Sequence, residues 1–196
     1  ENDVKIITLK KIYDLNNEYD EDYSEFEMFM ARKELKFITR RMNRGRIKSI
    51  NDGCFVSGAP FGYRNAVINK KHTLEVYEPE AKYVRMIFDM YVNQSMGITS
   101  ISRQLANLGV LSKKNTPLHP TTIARMLRNH TYIGKIVWNK SKSVKGKNTQ
   151  EKTSKDDWLY VSGLHEPIID EDTFNKAQDI INLCVQARCK IRLRGF

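Results

Sequence analysis

Apolar positions change their period several times along this chain, and each change marks an element. Val4 to Leu9, "VKIITL", is a continuous apolar run of the kind that forms a buried strand. From about Ser24 to Ile50, Met28, Ala31, Leu35, Ile38 and Met42 recur at spacings of 3, 4, 3 and 4, which predicts a long helix with a packing seam. A serine at its start, with acids around it, suits a helix N-terminus. "NAVI" and "TLEVYE" then predict two strands joined by the polar turn from Asn69 to His72.

The remaining pattern is mainly helical. "EPEAKYVRMIFDMYVNQ" opens with Pro79 and carries Ala81, Val84, Phe88 and Tyr91 on one stripe, which reads as core. "ITSISRQLANLGV" points Ile98, Ile101, Leu105 and Leu108 inward and stops at Gly109. "PTTIARMLRN" buries Ile123, Met126 and Leu127 and leaves Thr121, Thr122, Arg125, Arg128 and Asn129 outward. Two short helices, the second with exposed arginines, have the pattern of a helix-turn-helix reader. The connection from Val110 to His119 is longer than a tight turn, so a plain helical hairpin fits as well. Lys135 to Lys155 holds seven lysines against Glu151 and reads as a mobile basic loop, either gripping phosphates or simply solvated. "WLYVSGLHEPIIDEDTFNKAQDIINLC" returns as a strand and a helix, with Phe174, Ala177, Ile181 and Cys184 as its stripe and Asp170 as its cap. The expected fold class is α+β, mainly α: a long N-terminal helix, then a mixed domain with helix-turn-helix-like helices and a small antiparallel sheet.

Charge changes this picture from packing to partners. The chain has 33 lysines and arginines against 23 acids, a formal net charge of +10, and such a surface attracts phosphate polyanions or acidic membranes. The residues up to Glu25 are rich in acids, whereas from Arg32 to Lys48 eight basic residues face only Glu34. At about 100° per residue, Lys33, Lys36, Arg40, Arg44 and Lys48 fall opposite the apolar seam. A face of one sign lacks the intrahelical ion pairs of a merely solvated surface, which favours a helix laid along nucleic acid.

Candidate chemistry is sparse. No apolar run is long enough for a bilayer and no signal peptide is evident. Cys54, Cys184 and Cys189 read as structural thiols, and His72, His119, His130 and His165 lack metal-ligand spacing. No serine sits in a nucleophile elbow. The residues alone describe a binding module, with no catalytic and no metal residue assigned.

"GAPFGYR", from Gly58 to Arg64, is the stiffest stretch: Gly58, Pro60 and Gly62 are expected to allow and fix a turn, Phe61 and Tyr63 to anchor it in the core, and Arg64 to reach phosphate. With these residues assembled, the chain resembles the large serine recombinases, the integrases and transposon resolvases of phages and mobile elements. "GAPFGYR" is similar to the opening of that family's recombinase domain. "EAKYVRMIFDMYVNQSMGITSISRQLANLGV" resembles the next block through Val84, Ile87, Phe88, Tyr91, Ile101, Leu105, Ala106 and Gly109. "TTIARMLRNHTYIGKIVWN" resembles a third through Ile123, Leu127, Asn129, Tyr132, Ile133 and Gly134, and "HEPIIDEDTFNKAQDII" the segment that leads toward a zinc ribbon. Glu34, Ile38, Arg41 and Gly45 match the family's connecting helix. Two positions depart from the pattern: Leu35 stands where many members have an arginine that helps at the scissile phosphate, and Leu118 where a tryptophan is common.

The resemblance implies an organisation: residues 1–23 as the tail of a serine catalytic domain, 24–50 as the connecting helix, 51–183 as the DNA-binding recombinase domain with a basic loop at 139–157, and 184–196 as a basic tail before a zinc ribbon. It implies attack of a serine on a DNA phosphodiester, strand exchange and religation, from a nucleophile outside this chain, which alone is expected to be inactive. No cofactor is expected here, and zinc only in the ribbon. The implied partners are double-stranded DNA and further copies of the full-length protein, a dimer and then a tetramer in synapsis, with no membrane. A cytoplasmic, bacterial or phage-encoded, nucleoid-associated protein is implied. Base readout falls to Thr121, Thr122, Arg125 and Arg128, and phosphate contact to Arg40, Arg44, Lys48 and Arg64, with Lys33 and Lys36 completing the basic face. The competing readings are a helical dimerisation or protein-interaction module and a helix-turn-helix transcription regulator.

Overall fold

The computed structural model describes residues 5–8, 12–14, 17–113, 115–143 and 149–193. Val4, Leu9, Lys145, Lys147 and the last three residues lie outside these, as does the side chain of Cys189. The chain divides into two compact units, Glu1–Lys48 and Ser49–Phe196.

In the first unit, β1 (Lys5–Ile7) pairs antiparallel with β2 (Ile12–Asp14) and is followed by α1 (Glu18–Asn51). The expectation of a buried first strand fails, since Ile6 is 38% and Ile7 77% exposed. Burial here belongs to Tyr13, which donates to Glu27 Oε2 at 2.8 Å and stacks on Tyr23. The helix starts at Glu18 and not at Ser24. Asn17 caps it by accepting the Tyr19 amide at 3.1 Å, and Glu18, Asp20 and Glu21 sit at the positive end of the helix dipole. Ser24 is one turn inside, its hydroxyl donating to the Glu21 carbonyl at 2.8 Å. At 34 residues α1 is roughly 51 Å long.

The second unit is built on antiparallel pairs and four packed helices. β3 (Tyr63–Ile68) and β4 (Lys71–Val76) form a hairpin whose register places Ile68 opposite Lys71. Asn69 and Lys70 both take positive φ, 51° and 63°, as a two-residue turn requires. α2 (Glu78–Val92) has Pro79 in its first turn and buries Ala81, Val84, Phe88 and Tyr91, the predicted stripe, together with Ile87 and Met90. α3 (Ile98–Asn107) and α4 (Pro120–Met126) pack together, with Ile101, Leu105, Ile123, Met126 and Leu127 in the core. α5 (Glu171–Leu193) lies against α2 and contributes Phe174, Ala177 and Ile181, its Asp170 cap accepting the Thr173 amide at 2.7 Å.

Three expectations are corrected here. Leu108 is 55% exposed instead of inward. Gly109, at φ 69°, donates to the Ala106 carbonyl and Val110 to that of Leu105, so the chain reverses and Val110 takes the core place beside Leu105. The basic segment 139–157 is a hairpin where it is described: β6 (Ser141–Ser143) pairs with β7 (Gln150–Lys152), beyond a second pair of β5 (Lys135–Trp138) with β8 (Leu159–Ser162). Cys184 is exposed, one turn past the buried part of α5, and the stretch expected as a basic tail continues this helix to Leu193.

His165 closes the core beneath the turn. It is buried, its Nε2 donates to the Thr131 carbonyl at 2.9 Å, and its Nδ1 has no partner among the described residues. Burial holds this imidazole below its ordinary pKa, although the Thr131 carbonyl pulls the other way. The folded state therefore refuses a proton that the unfolded chain takes below about pH 6.5. Stability is full above that pH and falls below it, by up to about 1.4 kcal/mol per pH unit for one histidine. Urea unfolding at about pH 7.5 and about pH 5.5 checks this. Wild type is expected to lose more stability between the two than His165→Phe does.

Candidate nucleic-acid interface

The turn "GAPFGYR" is held from four sides. Phe61 and Tyr63 are buried, as expected. Tyr63 donates its hydroxyl to the Glu166 carbonyl at 2.8 Å, and Tyr132 donates to the Phe61 carbonyl at 2.9 Å, with the two rings stacked. From α2, Glu80 accepts the Gly62 amide at 2.8 Å, and from the connection between α3 and α4, the Lys113 ammonium donates to the carbonyls of Ala59 and Tyr63. Burial lowers the pKa of Lys113. The three residues expected to shape the turn are not equal. Gly62 has φ +92°, and a Cβ there would lie 2.9 Å from Val84 Cγ2, whereas a Cβ on Gly58 meets nothing within 4 Å. Gly62 is required, and Gly58 is not.

This rigid turn faces the outer side of α4. Pro120 opens α4, and His119 caps it, its Nδ1 accepting the Thr121 amide and lying 3.0 Å from the Thr121 hydroxyl. With Ile123, Met126 and Leu127 locked in the core, helical geometry leaves Thr121, Arg125 and Arg128 exposed and Thr122 half-buried. Pro60 and Phe61 on one side and Thr122, Arg125 and Arg128 on the other line a cleft of about 530 Å³. Lys140, just beyond β5, lines it too. Arg64, assigned to phosphate from the sequence, is exposed on β3 with its guanidinium 3.5 Å over the Tyr77 ring, which orients the charge by a cation–π contact.

The first unit supplies a different basic surface. Lys33, Lys36, Arg40, Arg44 and Lys48 are all exposed on α1. Among the described residues, none of the five is in an ion pair, and Lys33 lies over the Phe29 ring. The seam residues Met28, Leu35, Ile38 and Met42 are exposed as well. Aromatic residues missed in the sequence share the basic side: at about 100° per residue, Phe26, Phe29 and Phe37 fall within about 60° of Lys33, and each is more than half exposed.

The sequence reading missed Lys113 and His119, and it had Lys140 only as one lysine of a basic loop that grips phosphates or is simply solvated. A 3.6-residue apolar period marks core positions and is silent on a lysine in a connection, and only the basic run around Lys140 hinted at that residue. Leu118, where the resemblance led to a tryptophan, is 1% exposed and its carbonyl accepts from Ser102 at 2.7 Å, so an aliphatic side chain fills the place. Among the described residues no group of three His, Cys, Asp or Glu is placed to hold a metal ion, and no helix is long and apolar enough to cross a membrane.

Comparison with known proteins gives the same direction from independent grounds. Residues 78–183 match the family model described as Recombinase. A protein of Bacillus subtilis (strain 168) named as a DNA recombinase is 29% identical over 103 residues, which is 50% of this chain and 20% of that protein. Two solved structures are each similar at 30% identity over 72% of this chain. One comes from work on the sequence requirements of the Listeria innocua prophage attP site, with a TM-score of 0.52 and 51% of that chain covered. The other is a crystal structure of a large serine recombinase (LSR)–DNA complex, with a TM-score of 0.51 and 38% covered. The chain thus spans a fifth of the curated relative and about half or less of the structures.

Proposed function

This chain belongs to the Recombinase family, and from that premise we propose that it binds one half of a DNA attachment site, sequence-specifically, within a site-specific serine recombinase that integrates or excises a mobile element. The observation that carries the reading is α4: a helix locked into the core on one side that presents Thr121 and Arg125 outward, with Arg128 exposed just past its end, beside a cation-lined cleft. Bidentate arginines and small hydroxyls are the side chains that read base edges in a major groove. Arg40, Arg44 and Lys48 on α1 and Arg64 on β3 contact phosphates, and Lys33 and Lys36 extend the same basic face. The serine attack on DNA belongs to the longer protein, and no residue of this chain is given a catalytic role.

The experiment is a salt titration of duplex binding. Replacing Arg40, Arg44 and Lys48 together by Gln is expected to flatten the plot of log affinity against log salt by about three units, one per phosphate contact, with equal loss on every sequence. An unchanged slope would remove α1 from the DNA contact.

A second reading is favoured by one observation, the exposure of Met28, Leu35, Ile38 and Met42 along α1. A seam of this spacing that finds no cover among the described residues of its own unit suits self-association of the full-length protein, as a dimer and then a tetramer in synapsis.

A further inference from the structure

Two lysines flank the outer sheet of the second unit, and they are in opposite situations. Lys135, at the start of β5, is paired with Glu171 on α5. Lys140, two residues past the end of β5, is half-buried with no carboxylate partner among the described residues. Its ammonium lies 5.4 Å from the centroid of the Trp158 ring. Burial lowers its pKa and nothing anionic offsets that. A cation that gives up hydration for a ring face alone, with no carboxylate or hydrogen-bond acceptor beside it among the described residues, keeps its donors for a ligand.

The surroundings say what kind of ligand. Lys140 lines both the cleft of about 530 Å³ against α4 and a smaller one of about 290 Å³ beneath Ser57, Gly58 and Pro60. No acidic residue lines either cleft. Thr122, Arg125 and Arg128 line the larger one, the Arg128 guanidinium also donating to the Ala124 carbonyl at 3.5 Å. Asn129, which lines both, uses its Oδ1 to accept the Thr131 amide at 3.2 Å, and its NH2 group remains a donor. The walls therefore offer donors and positive charge, matching the oxygens of a phosphate ester.

We propose that the cleft between the Pro60–Phe61 turn and α4 seats one backbone phosphate of the bound duplex, and that Lys140 is its anchor. This rests on the DNA-binding reading above and deepens it. The rigid turn, the platform of Trp158 and the core-locked helix fix the seat, and a phosphate held there sets the depth and register at which Thr121 and Arg125 meet base edges. Lys140 is a positioning residue for recognition and reads no base itself.

The test uses the full chain, a duplex it selects, and a scrambled duplex of equal length. Lys140→Met keeps the apolar stem and removes the charge. The expected result is a salt slope lower by about one unit, equal weakening on both duplexes, near-wild-type binding for Lys140→Arg, and a melting temperature for Lys140→Met no lower than wild type. Neutral methylphosphonate placed at successive positions of the duplex gives the discriminating readout. One position should weaken wild type and leave Lys140→Met unaffected. The inference is overturned if wild type and Lys140→Met respond alike at every position, if the loss is confined to the selected duplex, or if inorganic phosphate competes beyond its ionic strength, which would make this a free-anion site. If wild type itself shows no salt-dependent duplex binding, the DNA-binding reading falls and this inference falls with it.

Discussion

Gly62→Ala is expected to destabilise the second unit by about 2–6 kcal/mol, because two independent costs coincide at this residue. The backbone has φ +92°, where a side chain costs about 1–3 kcal/mol. The new methyl would also lie 2.9 Å from Val84 Cγ2 and 3.0 Å from Ile168 Cδ1, and forcing extra volume into a packed core costs about 1–3 kcal/mol. Val84 is fully buried on α2 and cannot swing aside. Gly62 also joins the turn to α2 through its own amide to Glu80 and through its carbonyl, which accepts the Tyr77 amide at 2.9 Å. Whole domains are stable by only about 5–15 kcal/mol, so the variant stands near the limit of folding. Gly58→Ala is the matched control, expected to stay within about 0.5 kcal/mol. Urea unfolding of both variants checks the pair, and equal midpoints would mean that the turn tolerates a side chain at either place.

Arg125→Ala has the largest expected effect on recognition. Arg125 is exposed in the last turn of α4, no partner is recorded for its guanidinium among the described residues, and it stands beside the cleft that we assign to a phosphate. Its removal should cost about 1–3 kcal/mol of discrimination at one base pair, roughly 5- to 150-fold, while preference elsewhere in the site persists. The fold should survive, because the core side of α4 is untouched. Sequencing the duplexes that the variant retains from a random pool would show one relaxed position in an otherwise preserved motif.

How far the sequence could be read follows from where its signals come from. Buried stripes with a 3.6-residue period were legible, and α2, α3, α4 and the first half of α5 stand where that pattern placed them. The β3–β4 turn was legible in place from its polar residues, but it was read as Asn69 to His72, whereas Asn69 and Lys70 alone make it and Lys71 and His72 already pair in β4. Leu108 was misplaced because a periodic stripe cannot see that Gly109 reverses the chain and hands the core position to Val110. β6 and β7 were read as loop because their described side chains are polar and exposed, so no alternation marks them. For α1, spacing located an apolar seam but could not say what covers it, and among the described residues of the unit Glu1–Lys48 nothing does. Of the candidate site, Thr121 and Arg125 could be found as the outer face of a core helix, with Thr122 half-buried beside them and Arg128 just past its end. Lys140 could not, because its place depends on β5 pairing with β8 far along the chain and on Trp158 beneath it.

The central claim is that this chain reads half of an attachment site, and the selection from random duplexes by the wild-type chain, at near-physiological salt, tests it most directly. The account predicts enrichment of an asymmetric motif longer than one helical turn. Salt-sensitive retention with no enriched sequence would contradict it.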